Sequence, residues 1–169
     1  MKIRSFNIFR TLTLCTVAVI MIFAAVSCGG GYKNDVPLKT LTDAALAKVP
    51  VDGGYITADE DFMEFNFEGH EYAAEYGVFY AANTSANINE LGVLRADSAE
   101  NAQKLFEATE KYLEDRLESW MGAINYTPDE HPKMENAKCK LFGNYVVYTI
   151  LTVEDSNAVI DAVESLLKN

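Results

Sequence analysis

Histidine, cysteine and positive charge are all scarce in this chain of 169 residues, and each scarcity removes a class of function. Fourteen Lys and Arg stand against 25 Asp and Glu, a formal net charge of −11, and there is no basic stripe to neutralise phosphates. Nucleic acid is therefore not expected as a partner. Three cysteines and two histidines leave little material for a multi-ligand metal centre or a disulfide scaffold. Hydrolytic and redox signatures are missing too: the chain has no G-x-S-x-G, no H-E-x-x-H and no C-x-x-C. Neither a cofactor nor an enzyme is expected. What is present is the composition of one globular domain, 49% hydrophobic and 23% charged.

The N-terminus departs from that average. Lys2, Arg4 and Arg10 precede 16 uncharged residues, Thr11 to Val26, which end in small residues and a cysteine. A basic start, an apolar run and a small-residue cleavage site predict a cleaved signal peptide over 1–27. The run falls short of the ~20 apolar residues that a spanning helix needs. Ala25-Val26-Ser27-Cys28 resembles the bacterial lipobox, with Ala25 where leucine is usual. The resemblance implies cleavage before Cys28, whose sulfur already carries a diacylglyceryl thioether. Two acyl chains hold stably where one holds reversibly. The plainer alternative is ordinary cleavage after Ser27 or Ala25 and release of a soluble protein.

Gly29 to Asp35 is glycine-rich and polar, so residues 28–37 are expected to be a lipidated cysteine and flexible tether, with a single domain over 38–169. Once Cys15 is cleaved away and Cys28 acylated, Cys139 is the one free thiol, and stability must come from packing. The leader holds three basic and no acidic groups, so the remainder carries 11 basic against 25 acidic groups, a balance of −14. Such a body is repelled by anionic headgroups. Its partners are expected to be the membrane, through the lipid on Cys28, and a basic protein or cell-envelope component. The acidic surface serves solubility in the plainer reading.

Leu38, Leu41, Ala45 and Val49 recur at helical spacing before Pro50. Asp59 to Phe65 reads as a short helix. Tyr76–Ala82 and Asn89–Ala96 form a hairpin around a turn-rich joint, 83–87. Asp97 or Ser98 caps the longest helix, with Asp97 and Glu100 in capping-box spacing. Its buried stripe is read as Leu105, Phe106, Thr109, Leu113, Leu117, Trp120 and Ile124, with Glu100/Lys104 and Glu107/Lys111 pairs on the wet side and Gly122 as its end. Ala137–Leu151 folds back at Gly143-Asn144. That turn sets Leu141 against Val146 and Cys139 against Tyr148 on an apolar face, and leaves Lys138 and Lys140 on a partly wet one. Asp155 or Ser156 caps a last helix that buries Val159, Ile160, Val163 and Leu167. The expected fold class is α+β: an N-terminal helix, then two β-hairpins each followed by a helix, in a four-stranded, largely antiparallel sheet with helices packed on one face.

Candidate site residues follow from residue type. Asp59, Asp61 and Glu64, within a run that includes Glu60 and Glu68, concentrate oxygen ligands for a cation, although the spacing is not that of an EF-hand. The plainer reading is a solvated helix start. Phe62, Phe65, Tyr72 and Tyr76 would line a groove for a peptide or small molecule, or else simply fill the core. His70 and His131 are the only imidazoles and both sit in polar loop contexts, which reads as surface. Cys139 reads as an inert core thiol. Glu90 opens an apolar strand, and a buried carboxylate is costly unless it is paired: pairing with Arg95 or a backbone amide would make it structural, whereas an unpaired, cleft-facing Glu90 would point to an enzyme.

Several stretches together resemble the small lipoproteins of Gram-positive bacteria grouped as domain of unknown function four-three-five-eight. They are Asn89-Glu90-Leu91-Gly92-Val93-Leu94 with Arg95 after it, Tyr126-Thr127-Pro128-Asp129-Glu130, Glu135-Asn136-Ala137 and Gly143-Asn144-Tyr145-Val146. The resemblance runs from about Tyr76 to Lys168 and implies fold and anchoring, with no catalytic residue. The expectation is an extracytoplasmic, membrane-anchored lipoprotein acting as a binding or interaction module. The alternative is a small-molecule or cation-binding accessory of a cell-envelope transport or assembly system.

Overall fold

The computed structural model describes residues 31–83, 87–121 and 128–169, with the backbone alone at Trp120 and Met121. The signal segment, Cys28, the centre of the 83–87 joint, Gly122 and Ile124 lie outside the described residues.

Helix α1 spans Leu38–Leu46 and turns Leu41 and Ala45 inward, with Val49 buried behind it. Strand β1, Tyr55–Thr57, precedes α2, Glu60–Asn66, which Asp59 caps by accepting from Phe62 N at 2.9 Å. Strands β2, Glu75–Ala81, and β3, Glu90–Arg95, pair antiparallel and lead into α3, Ala99–Met121. The α3 cap is Ser98, whose Oγ accepts from Asn101 N at 3.2 Å. Asp97 accepts from the Asn101 side chain instead, and Glu100 turns to Lys104 at 2.7 Å, so the expected capping box does not form. A short helix α4, His131–Glu135, follows, then β4, Lys138–Phe142, and β5, Tyr145–Ile150. The two strands meet at Gly143, whose φ of 58° suits glycine in a two-residue turn. The closing helix α5, Val153–Leu167, starts earlier than expected because Thr152 caps it, accepting from Asp155 N at 3.1 Å.

The sheet has five strands rather than four, in the order β1-β2-β3-β5-β4, and every pairing is antiparallel. The Leu141–Val146 and Cys139–Tyr148 registers are as the turn requires.

Helices cover both faces of the sheet, not one. Side chains alternate along β3, so Leu91 and Val93 pack with Val147 against α1 and α5, while Leu94 packs with Val78 and Val146 against α2 and α3. The expected wet face of the last hairpin is therefore closed: Val147 and Thr149 are fully buried, and only the edge strand β4 keeps Lys140 exposed. Two-sided burial explains why β3 and β5 read as almost unbroken apolar runs. Ile88, Met134 and Ile150 form a smaller cluster beneath α4.

The residues just before α1 are bound to the domain. Lys33 N donates to Leu167 O at 2.7 Å, Asn144 N donates to Asn34 Oδ1 at 2.9 Å, and Tyr145 Oη donates to Val36 O at 2.6 Å. Tyr32 adds a hydrogen bond to Glu164 at 2.8 Å and a ring contact with Phe142 at 5.2 Å. Within the stretch expected to be a flexible tether, Tyr32 to Val36 are thus held on the domain.

Candidate functional site

The first residue of β3 is an acid, and strand alternation points it toward the α2–α3 layer, where it is 1% exposed. A buried carboxylate needs donors, and Glu90 has three. Tyr112 Oη donates to Oε1 at 2.5 Å, Tyr148 Oη donates to the same oxygen at 2.7 Å, and Arg116 Nη2 donates to Oε2 at 3.2 Å. Arg95, one of the partners the sequence offers, is engaged elsewhere, paired with Glu75 across the β2–β3 ladder.

Two features of the sequence build this network. Tyr112 and Arg116 are four apart on α3 and so share one face. Gly92 lies directly opposite Tyr148, and a Cβ on Gly92 would stand 2.1 Å from the Tyr148 ring. Glycine there lets the ring lie flat across β3 and carries its hydroxyl to Glu90, two residues away on the same face. Phe67 packs on Tyr112 at 4.9 Å, and the Tyr112 and Tyr148 rings meet edge to face at 5.7 Å.

Burial, reinforced by the Glu90 charge, raises both tyrosine hydroxyls above their ordinary pKa, so they remain donors. For Arg116 burial acts downward, but the Glu90 charge and the two tyrosines more than offset it, and the guanidinium is held charged. The network stabilises only while it is complete, since each buried hydroxyl left without an acceptor costs about 1–3 kcal/mol.

Outside this floor lies a cavity of about 290 Å³, lined by Glu90 and Arg116, by Phe62 and Tyr80, and by the loop Asn87 to Asn89. Phe62 and Tyr80 stack at 5.2 Å with an interplanar angle of 16°. The loop is fixed from behind: Asn89 N donates to Asn87 Oδ1 at 2.8 Å, Ile88 N donates to Glu130 Oε2 at 2.9 Å, and Lys133 Nζ bridges Asn89 Oδ1 and Glu130 at 2.8 Å. Rigid polar groups beside an aromatic wall are what ligand pockets are made of.

Of the other candidates, Glu64, Phe65 and His70 line a separate open cavity of about 450 Å³ between α2 and α3, and the rest are scattered. Asp59 is occupied as a helix cap, Asp61 and Glu64 are exposed, and among the described residues no three His, Cys, Asp or Glu side chains converge as a metal site would require. Of the four groove aromatics only Phe62 reaches the cavity. Phe65 is 85% exposed, Tyr72 lies under Lys104 at 5.5 Å, and Tyr76 packs on the core. His70 sits half-buried in a short 3₁₀ turn, with Nδ1 3.1 Å from Phe67 O. His131 is not a surface loop residue: it opens α4, is half-buried, and lies 3.2 Å from Glu135. Cys139 is half-buried against the α3 side, and burial first, then the Glu110 charge, pushes its thiol up to about 12. An unreactive thiol follows.

Tyr112 and Arg116 are absent from the sequence reading of α3. The residues facing the sheet are Ala102, Leu105, Thr109 and Tyr112, with Arg116 next in line. Leu113 and Leu117 lie to one side, against the cluster beneath α4. The expected Glu107–Lys111 pair is also replaced, because Lys111 reaches Asp115 at 2.6 Å and Glu68 at 3.3 Å.

No curated protein and no solved structure matches the chain. A family model described as Domain of unknown function (DUF4358) matches residues 59–151, more than half of the sequence. That span runs from the α2 cap to the residue after β5 and contains Phe62, Tyr80, Glu90, Tyr112, Arg116 and Tyr148, while α1 and α5 fall outside it. By this match the chain belongs to the family described as Domain of unknown function (DUF4358).

Proposed function

We propose that this chain is an extracytoplasmic lipoprotein anchored through Cys28, and that its domain is a binding module that seats a small molecule in the cavity above Glu90 and Arg116. One observation carries the binding role: a buried carboxylate, satisfied by two tyrosines and an arginine, fixes a charged floor beneath an open cavity with an aromatic wall. A carboxylate held this way is poorly suited to proton transfer, so binding fits the geometry better than acid–base catalysis. The anchoring role is supported by the basic start, the uncharged run and Ala25-Val26-Ser27-Cys28. Among the described residues no helix is long and apolar enough to cross a membrane. Small-molecule binding is favoured over cation binding because the acids at 59–64 do not converge.

Cell fractionation and intact-mass measurement of Cys28→Ser test the anchor. The variant should leave the membrane fraction and lack the lipid mass, and a variant that stays bound with unchanged mass overturns this part. Native mass spectrometry of protein recovered from envelopes tests the cavity. A retained small molecule lost in Phe62→Ala is expected, and retention unaffected by that change overturns the assignment.

A further inference from the structure

The cavity's charge and donor arrangement narrows the class of ligand, an inference that rests on the reading of the cavity as a ligand site. Glu90 already accepts from Tyr112, Tyr148 and Arg116, so an incoming cation finds no oxygen without a partner. An anion is disfavoured for a different reason. Arg116 is compensated by Glu90 and Lys133 by Glu130, so the two cations near the cavity leave no net positive charge, and the chain as a whole is acidic.

Donors remain on offer. Arg116 donates to Glu90 through Nη2 alone and its side chain is 38% exposed, which leaves the Nη1 end of the guanidinium to donate. Asn87 has its oxygen occupied by Asn89 N, which leaves its amide nitrogen to donate. Across from these groups the Phe62–Tyr80 stack presents a flat apolar surface that a further ring would extend. A volume of about 290 Å³ lies at the lower end of the range for ligand pockets, which suits one ring rather than several.

We infer that the cavity takes a small, flat, uncharged ring compound bearing a carbonyl-type acceptor, with the ring on Phe62 and Tyr80 and the acceptor on Arg116. Benzamide, benzoate and benzylamine share one ring and differ in charge, and they serve as probes by titration into the isotope-labelled, processed protein followed by amide NMR. Benzamide should shift the amides of Tyr80 and Asn87 to Glu90 saturably. It should bind at least about tenfold more tightly than the other two. Benzylamine lacks the acceptor, a difference of about one hydrogen bond, and benzoate brings a negative charge to an acidic protein whose nearby cations are already paired. Arg116→Gln and Phe62→Leu should each weaken benzamide. Phe62→Leu keeps an apolar side chain of similar bulk and serves if Arg116→Gln fails to fold. Equal or tighter binding of benzoate or benzylamine at the same amides overturns the ligand class while leaving the cavity a binding site. If none of the three probes shifts those amides, both the class and the site are overturned.

Discussion

Replacing Glu90 with leucine removes the acceptor of two buried hydroxyls at once. Tyr148 is fully buried and Tyr112 is 4% exposed, so neither hydroxyl has water to fall back on. Each orphaned donor costs about 1–3 kcal/mol, whereas Arg116, 38% exposed, can turn its charge to solvent. The expected loss is therefore about 2–6 kcal/mol, a large part of the ~5–15 kcal/mol that holds a domain together. Urea denaturation at neutral pH measures it as a shift in midpoint at constant slope. The sharper test is the background dependence. Tyr112→Phe and Tyr148→Phe should each cost about 1 kcal/mol in the wild-type protein, and in the Glu90→Leu background each should be neutral or stabilising, because the orphan is then removed. A loss below about 1 kcal/mol for Glu90→Leu would refute the reasoning, as would strictly additive phenylalanine substitutions.

Three further outcomes follow from the same geometry. Gly92→Ala should lower the melting temperature and shift the Tyr148 ring signals, since its Cβ would stand 2.1 Å from that ring, and overpacking of this kind costs about 1–3 kcal/mol or more; wild-type behaviour would contradict the flat packing of Tyr148. Tyr112 and Tyr148 keep their protons to higher pH when folded, so the stability they add is complete below about pH 10 and is lost as the pH rises above it. Melting temperatures should therefore fall in that alkaline range, and the Tyr112→Phe, Tyr148→Phe double variant should show a shallower fall there. Cys139, pushed up to about 12, should react with a disulfide reagent at pH 8 far more slowly than in urea, and equal rates would contradict its burial.

Much of this architecture is legible in the sequence. Gly143-Asn144 sets the register of β4 on β5, and Val159, Ile160, Val163 and Leu167 mark the inner face of α5. The second helical layer is not legible from the hairpin alone. Lys138 and Lys140 suggest a wet face, but they lie on an edge strand, where long side chains reach solvent past a covered face. Strand β1 escapes notice because three residues are too few to show alternation. The acid Glu90 stands out in the sequence as a residue needing a partner. Its partners do not, because Tyr112 and Arg116 lie one residue from the leucines that define a plausible apolar stripe, and only the packing of α3 on the sheet selects between the two lines. Tyr80, likewise, joins Phe62 through tertiary packing rather than sequence proximity.

The binding role stands or falls on where a natural ligand touches the domain. Amide NMR of the labelled, processed protein mixed with the small-molecule fraction of a cell-envelope extract reads this directly. Saturable shifts clustered at Phe62, Tyr80, Asn87 to Glu90 and Arg116 are the expected result. Shifts confined to other surfaces, with those residues unmoved, would contradict it.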